Sequence, residues 1–127
     1  MLIMNYYVKV LQNYANFSGR ARRSEYWYFT LFNLFAFIST AILDRLFGTT
    51  FDMGFGPSPY GYITILYYFF ILIPSLAVLV RRLHDVGKSG WFILISIIPL
   101  VGAIWLLVLL FKDSNTGDNA YGSNPKL

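Results

Sequence analysis

Length, composition and charge together limit the class of protein to which this chain belongs. The sequence has 127 residues, of which 57% are hydrophobic and only 13% are charged, and its formal net charge is +4. Soluble domains carry about 25% charged residues, and a chain this short cannot bury so much apolar surface. The composition excludes a disordered chain and an ordinary soluble domain, and it indicates one integral membrane domain over residues 1–127.

The first element in chain order is a predicted amphipathic helix over residues 1–17. At helical spacing Lys9 and Gln12 share a polar face, whereas Tyr7 and Val10 share an apolar face. The segment lacks the uninterrupted apolar core and the cleavage site of a signal peptide. Two interpretations remain open: the helix lies in the membrane interface, or it packs on the spans within the protein.

Three apolar runs follow, and they predict an all-α membrane protein with three transmembrane helices. The predicted spans cover residues 26–47, 60–84 and 91–111, and residues 112–127 form a polar tail. About 20 helical residues cross the roughly 30 Å hydrocarbon core of a bilayer. Helices are expected because they satisfy their backbone groups within the segment. Pro74 removes a backbone donor from the second run and predicts a kink there.

The third run contains a break at Pro99 and Gly102 that allows two interpretations. The run can form one helix that is kinked at these residues, or it can turn back as a re-entrant hairpin. Each arm of a hairpin would have about ten residues and would reach roughly 15 Å, which is too short to cross the bilayer. We therefore expect one kinked third span, which places the tail outside.

The positions of the Lys and Arg residues predict the orientation in the membrane. Basic residues concentrate before the first run and between the second and third runs, whereas only Arg45 lies between the first and second. Because cytoplasmic loops are enriched in Lys and Arg, we expect a cytoplasmic N-terminus and an irregular external loop over residues 44–59. With a kinked third span, seven of the ten basic residues are cytoplasmic and three are external. With a hairpin, nine are cytoplasmic and one is external.

Two groups of charged residues near the predicted cytoplasmic ends of the spans form the candidate site. Arginine suits bidentate contact with phosphate, and a basic residue near an anionic membrane surface gains about 1 kcal/mol. We interpret these residues as a site for anionic lipid headgroups or for a protein partner, which includes a second copy of the chain. The residues expected to make these contacts are Arg20, Arg22, Arg23, Arg81, Arg82 and His84.

Two carboxylates in the same segments, Glu25 and Asp85, are expected to form internal ion pairs. Arg22, three residues before Glu25, is at helical spacing from it, and Arg23 is the other candidate partner; Arg81, four residues before Asp85, is the expected partner of that carboxylate. An alternative pairs the second group of basic residues with Glu25.

Metal, cofactor and catalytic chemistry are not expected. Cysteine is absent, His84 is the single histidine, and a zinc site usually needs three or four ligands. A membrane enzyme that uses His84 and Asp85 remains one alternative, although adjacent residues of a helix do not face each other. No nucleic-acid partner is expected, because membrane topology accounts for the basic residues.

A small oligomeric transporter or channel component is the other alternative. Its polar pathway would use Asn33, Thr40 and Thr64. The apolar cores of the runs contain no Asp, Glu, Lys or Arg that would mark an ion path. We interpret Asn33 instead as a hydrogen-bonding residue between helices.

Three motifs stand out along the chain. They are FSGRARRSEYW at residues 17–27, RRLHDVGKSGW at residues 81–91 and TGDNAYGSNP at residues 116–125. Together they resemble a family of small bacterial inner-membrane proteins of the YhaH and YhaI type, grouped as domain of unknown function 805. The resemblance covers nearly the whole chain and implies a multi-pass protein of the bacterial plasma membrane with no established activity. It implies no substrate, cofactor or catalytic residue.

Overall fold

The computed structural model describes residues 2–52, 54 and 56–126, and the side chains of Leu2, Ile3 and Pro57 are not described. The predicted N-terminal helix begins at Met1, which lies outside the described residues. In chain order the elements are α1 (Leu2–Gln12), α2 (Arg23–Phe47), β1 (Thr50–Asp52), β2 (Pro57–Gly61), α3 (Tyr62–Asp85), a 3₁₀ helix (Gly90–Ile97) and α4 (Val101–Phe111).

Among the described residues, the helices α2 and α3 are long and apolar enough to cross a membrane. They have 25 and 24 residues, which corresponds to about 36–38 Å of helix. Helix α2 ends at Gly48, whose left-handed conformation (φ 68°) lets its N–H donate to the carbonyl of Arg45. The chain then returns, and α3 packs beside α2. Pro74 lies buried inside α3, which continues as a helix on both sides.

The segment between these helices is more regular than we expected. Strands β1 and β2 pair antiparallel, with Thr50 opposite Gly61 and Asp52 opposite Pro57. The prediction of an irregular loop over residues 44–59 is therefore wrong. A β-branched and aromatic Thr–Phe pair favours a strand, and the composition of the whole segment, rich in Gly and Pro, obscured that signal.

Asp44 belongs to α2 rather than to the loop, and its fully buried carboxylate joins α2 to α3. It accepts hydrogen bonds from the backbone N–H groups of Gly61, Ile63 and Thr64 at 2.8–3.1 Å. The hydroxyls of Thr49 and Thr64 also donate to it. A carboxylate in this position satisfies the free N–H groups at the start of α3 and opposes the positive end of its dipole.

The third run folds back on itself, so the prediction of one kinked span is wrong. The 3₁₀ helix and α4 meet at Leu100, which has φ 63° and ψ −60°, and the Val101 N–H donates to the carbonyl of Pro99 at 2.7 Å. Gly102 lies so close to the backbone of Ile95 that a Cβ would overlap its carbonyl oxygen. A proline without an N–H and a glycine without a Cβ at this spacing permit the turn and the close approach of the two arms.

Helix α1 packs on the two long helices. Val10 is fully buried in a cluster with Phe29 of α2 and with Ile71 and Val78 of α3. Tyr7 of α1 contacts both partners, because its ring lies 5.6 Å from that of Phe29 and its hydroxyl hydrogen-bonds to a tyrosine of α3. The structure thus contains the packed arrangement, the second of the two interpretations of this helix.

Candidate functional site

The three motifs converge at one end of the molecule, which we call the charged end. It consists of residues 19–25 at the start of α2, residues 81–88 at the end of α3, and residues 112–126 after α4. Backbone hydrogen bonds join these segments: the Ala21 N–H donates to the carbonyl of Arg81, and the Asn115 N–H donates to the carbonyl of Asp85. Residues that favour turns give the tail an irregular backbone, which lets it follow the ends of the helices.

Asp85 is the centre of the charged end. Its carboxylate accepts from Arg20 Nε at 2.9 Å and from Arg82 Nη1 at 2.6 Å, and all three side chains are almost completely buried. The hydroxyl of Ser114 in the tail donates to the same carboxylate. This carboxylate is the anionic partner that two buried guanidinium groups share, so each member depends on the others.

The same two arginines hold the tail. Arg20 donates to the carbonyl oxygens of Gly117 and Asn115, each at 2.8 Å. Arg82 donates to the carbonyl oxygens of Leu110 and Lys112 at the end of α4. Arg20 makes five hydrogen bonds within the protein and Arg82 makes four, so these side chains are not free to bind an external phosphate.

Glu25 forms a second buried pair, and its partners differ from those we predicted. Arg81 Nη1 lies 2.7 Å from Glu25 Oε2, and Lys9 Nζ of α1 lies 3.3 Å from Oε1. The predicted pairs of Glu25 with Arg22 or Arg23 and of Asp85 with Arg81 are wrong. The alternative, in which a basic residue of the second group pairs with Glu25, occurs for Arg81. Arg22 has an extended backbone (ψ 160°) before α2, so helical spacing from it does not apply.

His84 contacts residues other than the partners of Asp85. Its Nδ1 lies 2.9 Å from the carbonyl oxygen of Gly19, and its ring stacks on Tyr121 with centroids 4.0 Å apart and an angle of 1°. Asn119 donates to its backbone carbonyl. The imidazole and the carboxylate of Asp85 therefore have separate partners, which is not the arrangement of a catalytic pair.

Arg22 and Arg23 are the arginines of the predicted binding set that keep solvent exposure, partial for Arg22 and larger for Arg23, and His84 is also partly exposed. They line a shallow depression of about 90 Å³ together with Ser24, Asp113 and Lys126. Lys126 Nζ lies 3.0 Å from the Asp113 carboxylate. The hydrogen bonds from Lys126 and from a backbone N–H stabilise the charged carboxylate, which holds the pKa of Asp113 below its ordinary value. The depression carries three cationic side chains and one anionic side chain.

The polar residues of the transporter alternative hydrogen-bond within the chain. Tyr67 of α3 donates to Asn33 of α2 at 2.6 Å, which confirms the interpretation of Asn33 as an interhelical residue. Thr64 lies 3.1 Å from Thr40 and also donates to Asp44.

Two contacts were not predicted from the sequence: the hydrogen bonds of Asp44 to the start of α3 and the ion pair of Lys9 with Glu25. The signal for Asp44 was a carboxylate at the end of an apolar run, which is costly unless it is fully hydrogen-bonded.

The fold and the charged end define a small, mostly helical integral membrane protein whose three motifs meet around two buried groups of ion pairs. The model of the family DUF805, described as a protein of unknown function, matches residues 14–123. The chain belongs to this family.

Two proteins from Escherichia coli (strain K12) are similar to this chain over nearly their whole length. The inner membrane protein YhaH is 39% identical over 126 residues, which cover 98% of each chain. The inner membrane protein YhaI is 37% identical over 123 residues, which cover 97% of each chain. No solved structure matches the chain.

Proposed function

We propose that this protein is a non-enzymatic module of the bacterial plasma membrane that binds anionic lipid headgroups at its charged end. The observation that carries the proposal is the division of the arginines. Arg20, Arg81 and Arg82 are buried in ion pairs, whereas Arg22 and Arg23 line an open depression with Lys126. The first three hold the fold. Among the last three, Arg23 donates from Nη1 to the carbonyl of Phe111 and Lys126 pairs with Asp113, but all three keep solvent exposure that a ligand can reach.

The orientation of the chain supports a lipid ligand at this position. The tail and the segment before α2 lie together at the charged end, because Arg20 bonds directly to tail carbonyls. All Lys and Arg residues except Arg45 then belong to one side, which by the positive-inside rule is the cytoplasmic side. Both termini are cytoplasmic in this proposal, and Arg22 and Arg23 lie at the level of the inner-leaflet headgroups.

The chemistry of the depression favours phosphate. Guanidinium groups bind phosphate oxygens bidentately, and the depression lies at the beginning of α2, where the helix dipole favours an anion. Asp113 reduces the positive potential, but its pair with Lys126 compensates that charge. A headgroup phosphate between Arg22 and Arg23 is the simplest ligand for this arrangement.

The proposal is tested by native mass spectrometry of the full-length protein released from membranes that contain phosphatidylglycerol. We expect the variant with Arg22→Gln and Arg23→Gln to lose bound phosphatidylglycerol, because each contact contributes about 1 kcal/mol, or about fivefold in affinity. Arg45→Gln is the matched control, since Arg45 is an exposed arginine at the opposite end of α2.

Equal lipid binding by the double variant and by the control contradicts the proposal. A co-purifying protein that is lost only in the double variant would assign the depression to a protein partner instead of a lipid.

A further inference from the structure

The carbonyl of Phe70 in α3 lacks its usual helical donor. In an α-helix this carbonyl accepts from the N–H of the residue four positions later, which here is Pro74, and proline has no N–H. Phe70 lies about 22 Å along the helix from Asp85, within the apolar part of α3. Because a membrane span offers no bulk water at this depth, a carbonyl without a donor is costly there.

Tyr14, in the turn that follows α1, supplies the missing donor. Its hydroxyl donates to the Phe70 carbonyl at 2.5 Å, and the two rings lie 5.9 Å apart. The polar residues beside it hydrogen-bond within the same segment: the Asn16 amide donates to Asn13, whose own amide donates to the carbonyl of Lys9. The turn can therefore lie against α3 inside the leaflet, since its amides find partners without water.

Residues 2–18, which we call the N-terminal strap, also determine the partners of Glu25. Lys9 Nζ lies 3.3 Å from Glu25 Oε1 without a hydrogen bond to it, and Arg81 Nη1 binds Oε2 at 2.7 Å. In the part of the chain that the structure describes, the buried Nε and Nη2 of Arg81 have no hydrogen-bond partner. A guanidinium can bind both oxygens of a carboxylate. Arg81 thus has donors for the oxygen that Lys9 now occupies.

Gly19 joins the N-terminal strap to the charged end. Its carbonyl accepts or shares the proton of His84 Nδ1 at 2.9 Å, which fixes this point of the chain to α3. Its φ is 86°, and a Cβ there would meet nothing within 4 Å. The chain can change direction at this glycine while the contact with His84 stays in place.

We propose that the N-terminal strap has two positions. In the closed position, described above, Tyr14 donates to the carbonyl that Pro74 leaves free, and Lys9 shares Glu25 with Arg81. In the open position the strap leaves α3, Arg81 binds both oxygens of Glu25, and this ion pair is uncovered at the charged end. Pro74 favours closure, because the open position leaves that carbonyl without a donor. The proposal does not depend on lipid binding at the depression.

The test measures the distance between two nitroxide labels in the full-length protein by double electron–electron resonance. The sequence contains no cysteine. Asn5→Cys on the exposed side of the strap and Leu46→Cys at the far end of α2, where Leu46 is 74% exposed, therefore give two unique labels. In nanodiscs of phosphatidylcholine and phosphatidylglycerol we expect a main distance for the closed position and a longer, minor one for the open position.

Tyr14→Phe should raise the ratio of open to closed protein about fivefold, which corresponds to the loss of one hydrogen bond. Tyr62→Phe is the matched control, because Tyr62 is an exposed tyrosine at the other end of α3. It should leave the ratio unchanged.

Pro74→Ala tests the origin of the contact. Residue 74 then donates to the Phe70 carbonyl in both positions, so the ratio should also rise about fivefold. When Tyr14→Phe is added to Pro74→Ala, the ratio should change less than twofold, because the carbonyl keeps a donor. This lack of additivity is the signature of a direct interaction between the two sites.

Lys9→Gln tests the exchange of partners at Glu25. Removing the ammonium takes one contact from the closed position only, so we expect the ratio of open to closed protein to rise about twofold, as for an exposed ion pair.

A single distance that is the same in the parent chain and in every variant overturns the proposal. So does an effect of Tyr14→Phe that is equal with and without Pro74→Ala, or that Tyr62→Phe reproduces. An unchanged ratio in Lys9→Gln contradicts the exchange of partners and overturns that part of the proposal.

Discussion

At the scale of single residues, Asp85 is the side chain on which the buried polar contacts of the charged end converge. It is the acidic partner of Arg20 and Arg82, and it also accepts from the tail through Ser114. Removing one partner of a buried ion pair leaves an uncompensated charge in a medium of low polarity. The stability of the charged end should therefore depend on this carboxylate more than on any exposed charge.

We predict that Asp85→Asn lowers the free energy of unfolding by about 3–5 kcal/mol, because two buried guanidinium groups lose their counter-charge. Unfolding of the purified protein in micelles, followed by circular dichroism, measures this change. Asp118→Asn is the control, since Asp118 is an exposed tail residue of the same type. Equal stability of the two variants would show that the buried cluster does not hold the tail.

At the scale of elements, the hairpin of the 3₁₀ helix and α4 is the part of the chain that departs most from a regular span. Its α4 arm has 11 residues, or about 16 Å of helix, roughly half of the hydrocarbon core. Leu109 of α4 packs with Leu83 and Val86 at the end of α3, so the hairpin returns to the charged end where it began.

We predict that Gly102→Ala separates the two arms of the hairpin and lowers the free energy of unfolding by about 1–3 kcal/mol, as overpacking does. A Cβ at this position overlaps the carbonyl of Ile95. The same micelle unfolding measurement applies, with Ala103→Val as the control because Ala103 is exposed beside it. A stable Gly102→Ala variant would mean that the arms do not touch at this point.

At the scale of the whole molecule, the distribution of charge and the contacts of the tail lead to one topology. In the proposed topology α2 and α3 cross the membrane and the hairpin returns, so that nine of the ten Lys and Arg residues lie on the side of the charged end and Arg45 lies on the other. This asymmetry is larger than the seven to three of a third complete span. The positive-inside rule therefore favours the folded-back arrangement.

We predict that a green fluorescent protein fused after Leu127 fluoresces and that alkaline phosphatase fused there is inactive, because the proposed topology places the C-terminus in the cytoplasm. A phosphatase fused after Asp52 in the β-hairpin should be active, which serves as the control for export. Active phosphatase at Leu127 would place the tail outside and would contradict the proposed topology.

The sequence by itself determined the features that depend on composition and local pattern. Continuous apolar runs predict α2 and α3, because about 20 apolar residues are what a bilayer requires. The motifs identify the family, and its membership is confirmed. The position of Asn33, a polar residue within an apolar run, was sufficient to indicate an interhelical hydrogen bond, which occurs with Tyr67.

The tertiary structure alone decided which charges pair and where the third run goes. Glu25 pairs with Arg81, 56 residues away, and Arg20 pairs with Asp85, 65 residues away; helical spacing describes only neighbours within one helix and cannot find such partners. Pro99 and Gly102 by themselves are compatible either with one kinked helix or with a chain that turns back between two short helices. The reversal is selected because the end of α4 packs on α3 and because Arg82 binds its last carbonyls, and these contacts exist only in the folded chain.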